Sequence, residues 1–260
     1  MPKAAHFDLT GKKAMVVGVE HPAAAAIARA YGEAGADVAL CTLEPDDSVV
    51  AARRLAKEIA GMGRESRVYV MDVTLGRNVQ VTTRQIAKEL GGLDIVCSAP
   101  DRFLAKPIGK ITDTELANVF KLNFNSHFFL TRTAIGEFEK NADGGRIVLV
   151  TSVLGERGLA NTSAYAAATG ATYNLVRAVS QEVARKHISI NGIALGWMDW
   201  QSDRIDPADD EAQRATRFPI MKRTGAAEEV GPLAVYLSGS AVGYVTGQIF
   251  PVDGGLLQHL

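Results

Sequence analysis

Short apolar runs alternate with longer amphipathic stretches from one end of this chain to the other, and that alternation restricts it to few architectures. Residues 14–18 are apolar and end in glycine, and an alanine-rich stretch with helical spacing, 23–34, follows. The other apolar runs are 37–41, 67–73, 93–98, 146–152, 188–195 and 249–252. Between them, 48–61, 78–90, 112–140, 163–186 and 228–238 carry helical signals. Strands this uniformly apolar must be covered on both faces, as in a parallel sheet with helices on either side. Right-handed crossovers then give a doubly wound order. The expected fold is one α/β domain over residues 1–260, a doubly wound parallel sheet flanked by helices on both faces.

Composition excludes several classes of function. The net charge is −1, without the basic excess that a phosphate-binding partner of nucleic acids shows. No apolar run approaches the ~20 residues that span a bilayer. The polar segment 1–10 has no signal core. Cys41 and Cys97 lie inside apolar runs, and no Cys/His spacing suits a metal. Reduced core cysteines point to the cytoplasm. Residues 201–218, rich in Asp and Arg with weak periodicity, read as a mobile surface loop or lid.

Five blocks carry chemistry. Phe-Asp-Leu-Thr-Gly-Lys-Lys-Ala-Met-Val-Val-Gly occupies 7–18, and Asp72-Val73 ends the third apolar run. Asn123 lies in a helical stretch, and Ser152 precedes Tyr165 by thirteen residues. Residues 247–255 read Gly-Gln-Ile-Phe-Pro-Val-Asp-Gly-Gly. In this order, over essentially the whole chain, they resemble the short-chain dehydrogenase/reductase superfamily, a Rossmann-type fold. The resemblance implies that Ser152 polarises a carbonyl, that Tyr165 exchanges a proton with it, and that Asn123 supports a water chain. It implies Gly18 and Asp72 as contacts of a nicotinamide cofactor that supplies or accepts hydride. Each of the three candidate catalytic residues also has a purely structural reading, Tyr165 as a helix residue beside an interface, Ser152 and Asn123 as hydrogen-bonding ties.

The chain departs from that pattern where cofactor would touch it. In 16–26, Val-Val-Gly-Val-Glu-His-Pro-Ala-Ala-Ala-Ala, only Gly18 of the three expected glycines remains. Pro22 has no N–H for a phosphate, Ala24 adds a methyl, and Glu20 adds a carboxylate. Thr42 and Leu43 match neither ribose selector. Ser98, Ala99, Pro100 and Asp101 replace the Asn-Asn-Ala-Gly turn. Thr169 stands where the lysine that lowers the tyrosine pKa would be, and an unassisted tyrosine has a pKa of ~10. Leu195 replaces a proline, and Trp200 falls where a small threonine is expected, so the indole would fill the nicotinamide end of the cleft.

A fold kept while its cofactor contacts change points to a pseudoenzyme subunit that binds no cofactor and no metal. Such a subunit would support an active paralogue in a hetero-oligomer such as a tetramer. A homo-oligomer has the same surfaces available: 112–140 and 163–186, with alanines after Tyr165, at one interface and 249–260 at another. Two alternatives stand beside this reading. One is an active NAD- or NADP-dependent alcohol or ketone oxidoreductase with unusual cofactor contacts. The other is a cofactor-independent acid catalyst, a dehydratase or cyclase, using Ser152 and Tyr165.

Overall fold

In the computed structural model, which describes residues 7–204 and 218–258, seven strands alternate with helices. The strands are β1 (Lys13–Val17), β2 (Asp37–Thr42), β3 (Ser66–Val70), β4 (Ile95–Ser98), β5 (Gly145–Ser152), β6 (Ile188–Leu195) and β7 (Ile249–Val252). The α-helices are α1 (Pro22–Ala34), α2 (Ser48–Gly61), α3 (Gly76–Leu90), α4 (Asp113–Phe120), α5 (Ser126–Phe138), α6 (Ser163–Val183) and α7 (Gly231–Ser238). The strands form one parallel sheet in the order β3-β2-β1-β4-β5-β6-β7, a single-domain Rossmann-type fold as expected. The stretch 205–217, most of the expected lid, lies outside the described residues.

Alternation along each strand divides the core in two. Ala14 and Val16 of β1, with Val38 and Leu40 of β2, pack against α1, α2 and α7 through Ile27, Tyr31, Ile59 and Leu237. Met15 and Val17, with Ala39 and Cys41, face the other way onto α3, α5 and α6 through Ile86, Leu130, Phe138 and Val176. Every strand from β1 to β6 except the edge strand β3 is therefore apolar at consecutive positions, which is what made the runs readable. Cys41 and Cys97 are buried free thiols in β2 and β4, on either side of β1, and burial pushes Cys97 up to about 12.

The order reverses between β1 and β4, where Val17 pairs with Ser98. Crossovers leave this point in opposite directions, so a crevice opens beyond the carboxyl ends of the strands. Gly18, Ser98 and Ser152 all stand on that rim.

The helical signals over 112–140 resolve into two helices joined by a π turn, Lys121–Asn125. The Asn123 side chain explains the break. Its Nδ2 donates to Val119 O and Arg102 O, both at 2.9 Å, and its Oδ1 accepts the Arg102 N–H at 3.0 Å. One amide thus ties the loop after β4 into the helix ladder, and the ladder widens by a residue to admit it. A capping box between Thr112 and Glu115 fixes the start of α4.

No helix among the described residues is long and apolar enough to cross a membrane. No group of metal-ligating side chains is found among them either.

Candidate active site

Five elements converge on the carboxyl rim. Ser152 ends β5, and its Oγ accepts the Leu154 N–H at 3.2 Å, capping the short turn that follows. Tyr173, two turns along α6 from Tyr165, donates to Ser152 O at 3.2 Å and holds that strand end against the helix. Tyr165 lies in the first turn of α6 and is 5% exposed. Its phenol donates to Asp101 Oδ1 at 2.7 Å. Phe103 meets the Tyr165 ring edge-on, with centroids 5.1 Å apart. Ser152 and Tyr165 share one cavity of about 20 Å³, whose wall includes Phe103, Leu154, Trp197, Gln201 and Leu256.

The structure brings Ser152 and Tyr165 together, as their spacing implied. Asn123 stands one layer back, 2% exposed, and holds the backbone of Arg102, the residue after Asp101. Thr169 is buried and bends back to its own helix, donating to Tyr165 O at 2.9 Å, so this position itself supplies no cation in place of the expected lysine. The Tyr165 hydroxyl is held instead by a carboxylate. That partnership, across sixty-four residues, is invisible to motif spacing.

A second pair lies behind the first. Ser98 Oγ and His127 Nδ1 are 2.7 Å apart, and His127 is 1% exposed. Burial lowers the His127 pKa to about 4, against smaller raising effects of the Asp101 charge and a hydrogen bond to the Val150 backbone. His127 is therefore neutral at pH 7. The unfolded chain takes up a proton near pH 6.5 that the folded chain refuses until about pH 4. Stability is thus expected to fall as pH drops through that window, by about 3 kcal/mol. Urea unfolding at a series of pH values measures this, and His127→Asn is expected to flatten the slope.

The cofactor positions lie at the other end of the crevice. Gly18 has φ +85°, and a Cβ there would sit 3.1 Å from the backbone of Ala99 and Pro100. Only glycine lets β1 turn this close to the loop after β4. Helix α1 starts with Pro22, where the missing N–H is already without an intrahelical partner. The N-cap residue His21 supplies no side-chain acceptor, so the Ala23 and Ala24 N–H groups remain at the helix start. The Glu20 carboxylate accepts the Leu43 N–H at 3.3 Å. Asp72 Oδ1 accepts from the Thr74 N–H and hydroxyl at 2.9 and 2.6 Å, making the turn after β3.

Trp200 departs from its expected place. Its ring meets His21 edge-on at 5.4 Å, at the start of α1, where Ala23 and Ala24 are fully buried. Its Nε1 is buried with no acceptor among the described residues. Trp197, three residues earlier, is the indole that lines the cavity beside Tyr165. Trp197 precedes the turn Asp199–Arg204 and Trp200 lies within it, and the two indoles face different parts of the crevice.

Residues 18–257 match the family described as enoyl-(acyl carrier protein) reductase. The chain belongs to the short-chain dehydrogenase/reductase superfamily. It is 32% identical to a 3-oxoacyl-(acyl-carrier-protein) reductase of Pseudomonas aeruginosa over 96% of this chain and 99% of that protein. Its fold matches a 7α-hydroxysteroid dehydrogenase complexed with NADH and 7-oxo glycochenodeoxycholic acid at a TM-score of 0.90 and 27% identity, covering 98% of each chain. A blue fluorescent protein from a metagenomic library, in complex with NADPH, matches at 0.87 and 27% identity, covering 96% of this chain and 99% of that one.

These likenesses overturn the expectation of a pseudoenzyme subunit that binds no cofactor. The relative is named a reductase, and both structural neighbours hold a nicotinamide dinucleotide. The physical reason is that a dinucleotide bed is made largely of main-chain atoms. Pro22 removes its own N–H, but the Gly18 turn and the N–H groups of Ala23 and Ala24 stay in place. Glu20, expected to repel a phosphate, is engaged by Leu43. Gly18, Ala23, Ala24 and Asp72 thus fit the adenosine diphosphate end of a dinucleotide, provided the Trp200 indole turns aside.

Proposed function

We propose that this chain is an NAD(P)-dependent oxidoreductase that interconverts a secondary alcohol and a ketone. The observation that carries the reading is the placement of Ser152 and Tyr165 on one cavity, with the phenol already donating to the Asp101 carboxylate. Gly18, Asp72 and the N–H groups of Ala23 and Ala24 would hold the cofactor. When bound, that cofactor supplies or accepts hydride.

The remaining steps belong to the chain's own residues. Ser152 Oγ orients the substrate oxygen and donates a hydrogen bond to it. In the reduction direction Tyr165 Oη gives that oxygen a proton and takes one back from the Asp101 carboxylic acid, which recovers its own from solvent. In the oxidation direction Tyr165 takes the alcohol proton while its own passes to Asp101. Asn123 positions Asp101 by holding the adjacent backbone. Phe103 and Leu154 give the cavity apolar walls. Asp101 differs from a lysine in kind: a cation would favour the phenolate, whereas a carboxylate can itself accept the phenol proton. The chain would work in a reducing compartment such as the cytoplasm, consistent with its buried thiols. Its assembly would use the outer faces of α4, α5 and α6, where Leu116 and Phe128 are exposed.

Titration with NADH and NADPH, followed by turnover on a panel of alcohols and ketones, tests this reading. Saturable binding tighter than about 1 mM, near −4 kcal/mol, is expected for at least one cofactor. No binding of either at that concentration would sink the proposal. Trp200→Ala is expected to tighten binding about 10-fold, because the indole no longer has to leave the start of α1.

A further inference from the structure

We infer that the site takes an uncharged, mainly apolar alcohol or ketone and rejects sugar acids and other polyhydroxylated anions. This rests on the oxidoreductase reading and assigns its substrate class. Around the cavity Phe103, Val153, Leu154, Trp197 and Leu256 offer apolar or ring surface, and no lysine or arginine among the described residues lines it. The polar side chains among the described lining residues are Ser152, Tyr165 and Gln201. Ser152 and Tyr165 are committed to the reacting oxygen. The Gln201 carbonyl already accepts the Met198 N–H at 3.1 Å, which leaves its amide N–H groups as the remaining side-chain donors.

A substrate with several hydroxyls would therefore bury most of them without partners. Each such loss weakens binding about 10-fold or more. A carboxylate would meet no cation on the lining, and the charged group bonded to Tyr165 is itself a carboxylate. An alicyclic or aryl group suffers neither loss and gains from every apolar wall it covers. The cavity of about 20 Å³ holds roughly one water, so a ligand enters by displacing a half-buried rim residue, Gln201 or Leu256.

The chain has two tryptophans, and only Trp197 lines the cavity. In full-length Trp200→Phe protein, Trp197 emission therefore reports on this site without turnover. Titration with 1-phenylethanol, cyclohexanol and gluconate is followed by fluorescence and, on the same samples, by ligand-observed saturation-transfer NMR. Saturable binding of both alcohols is expected, with gluconate at least about 100-fold weaker for two or more unpaired hydroxyls. Leu154→Asp, checked for folding by circular dichroism, is expected to weaken both alcohols about 10-fold or more; Phe103→Ala provides the same test should that variant not fold. Gluconate binding as tightly as the alcohols, or no saturable response to either alcohol by both methods, overturns the inference. Alcohol binding without NAD(P)-linked turnover sinks the oxidoreductase reading and leaves the substrate class standing. Turnover of gluconate with no response to the alcohols does the reverse.

Discussion

Tyr165→Phe is expected to lower kcat by about 10²–10⁴-fold, the range that a positioned proton donor contributes. Cofactor binding should change little, because Tyr165 lies with the substrate cavity and the Gly18 turn lies across the crevice. The ring keeps its edge contact with Phe103, so the melting temperature is expected to move only slightly. Asp101→Asn is the companion experiment. It preserves a hydrogen-bond acceptor for the phenol but removes the charge that can take its proton. Oxidation and reduction should slow together, since the overall equilibrium is fixed, and the pH profile of kcat/KM should change because the group that takes and returns the phenol proton is gone. An unchanged pH profile would show that Asp101 only orients Tyr165.

Gly144→Ala is expected to destabilise the fold by roughly 4 kcal/mol. Gly144 joins the end of α5 to β5 with φ +66°, and a Cβ there would lie 2.3 Å from the His187 carbonyl oxygen. That oxygen is backbone, and it also accepts from Arg146 Nη1 at 3.0 Å, so it cannot give way cheaply. Gly63→Ala is the control. Gly63 has φ +77° but nothing within 4 Å of an added Cβ. It isolates the conformational cost, about 1–2 kcal/mol. Urea midpoints for the two variants measure the difference, which is the steric part alone. Equal costs would mean that the chain between α5 and β5 relaxes around the methyl.

The strands of the sheet were legible because burial on both faces writes itself into consecutive apolar residues. Residues 14–18 and 188–195 needed no tertiary knowledge. The break between α4 and α5 was not legible, since apolar spacing runs through 112–140 without interruption. What breaks the helix is a bond from Asn123 to the backbone of Arg102, and no local pattern encodes it. The same limit applies to the site. Ser152 and Tyr165 lie close in the chain and could be paired by spacing. Asp101 with Tyr165, and Ser98 with His127, are pairs made by the crevice itself. Asp101 was visible as a carboxylate in an unusual place, but its partner was not.

The two indoles show a further limit. Trp200 was expected at the nicotinamide end because position along the chain was read as position in space. Trp197 stands before the 3₁₀ turn Asp199–Arg204 and Trp200 inside it, so the change of backbone course between them, which no local pattern encodes, separates the two side chains. The cofactor expectation failed for a different reason. Altered side chains in the first loop imply lost contacts, yet apart from the missing N–H of Pro22 the main-chain groups at the start of α1 do not change with them.

The reversal of strand order also governs how the chain can be made. β1 lies at the centre of the sheet, yet its partner β4 begins some eighty residues later, at Ile95. Emerging from a ribosome, β1 can pair with β2, but its other edge has no occupant until β4 arrives. At about 5–20 residues per second, that edge stays open for several seconds. The edge is Ala14-Met15-Val16-Val17, an apolar run with no charge to discourage pairing with another chain. The outer strand β3, by contrast, carries Arg67, bridged to Glu65 and Glu89. The finished molecule guards its outer edge with charge, whereas the nascent one relies on speed or on a chaperone to guard its inner edge.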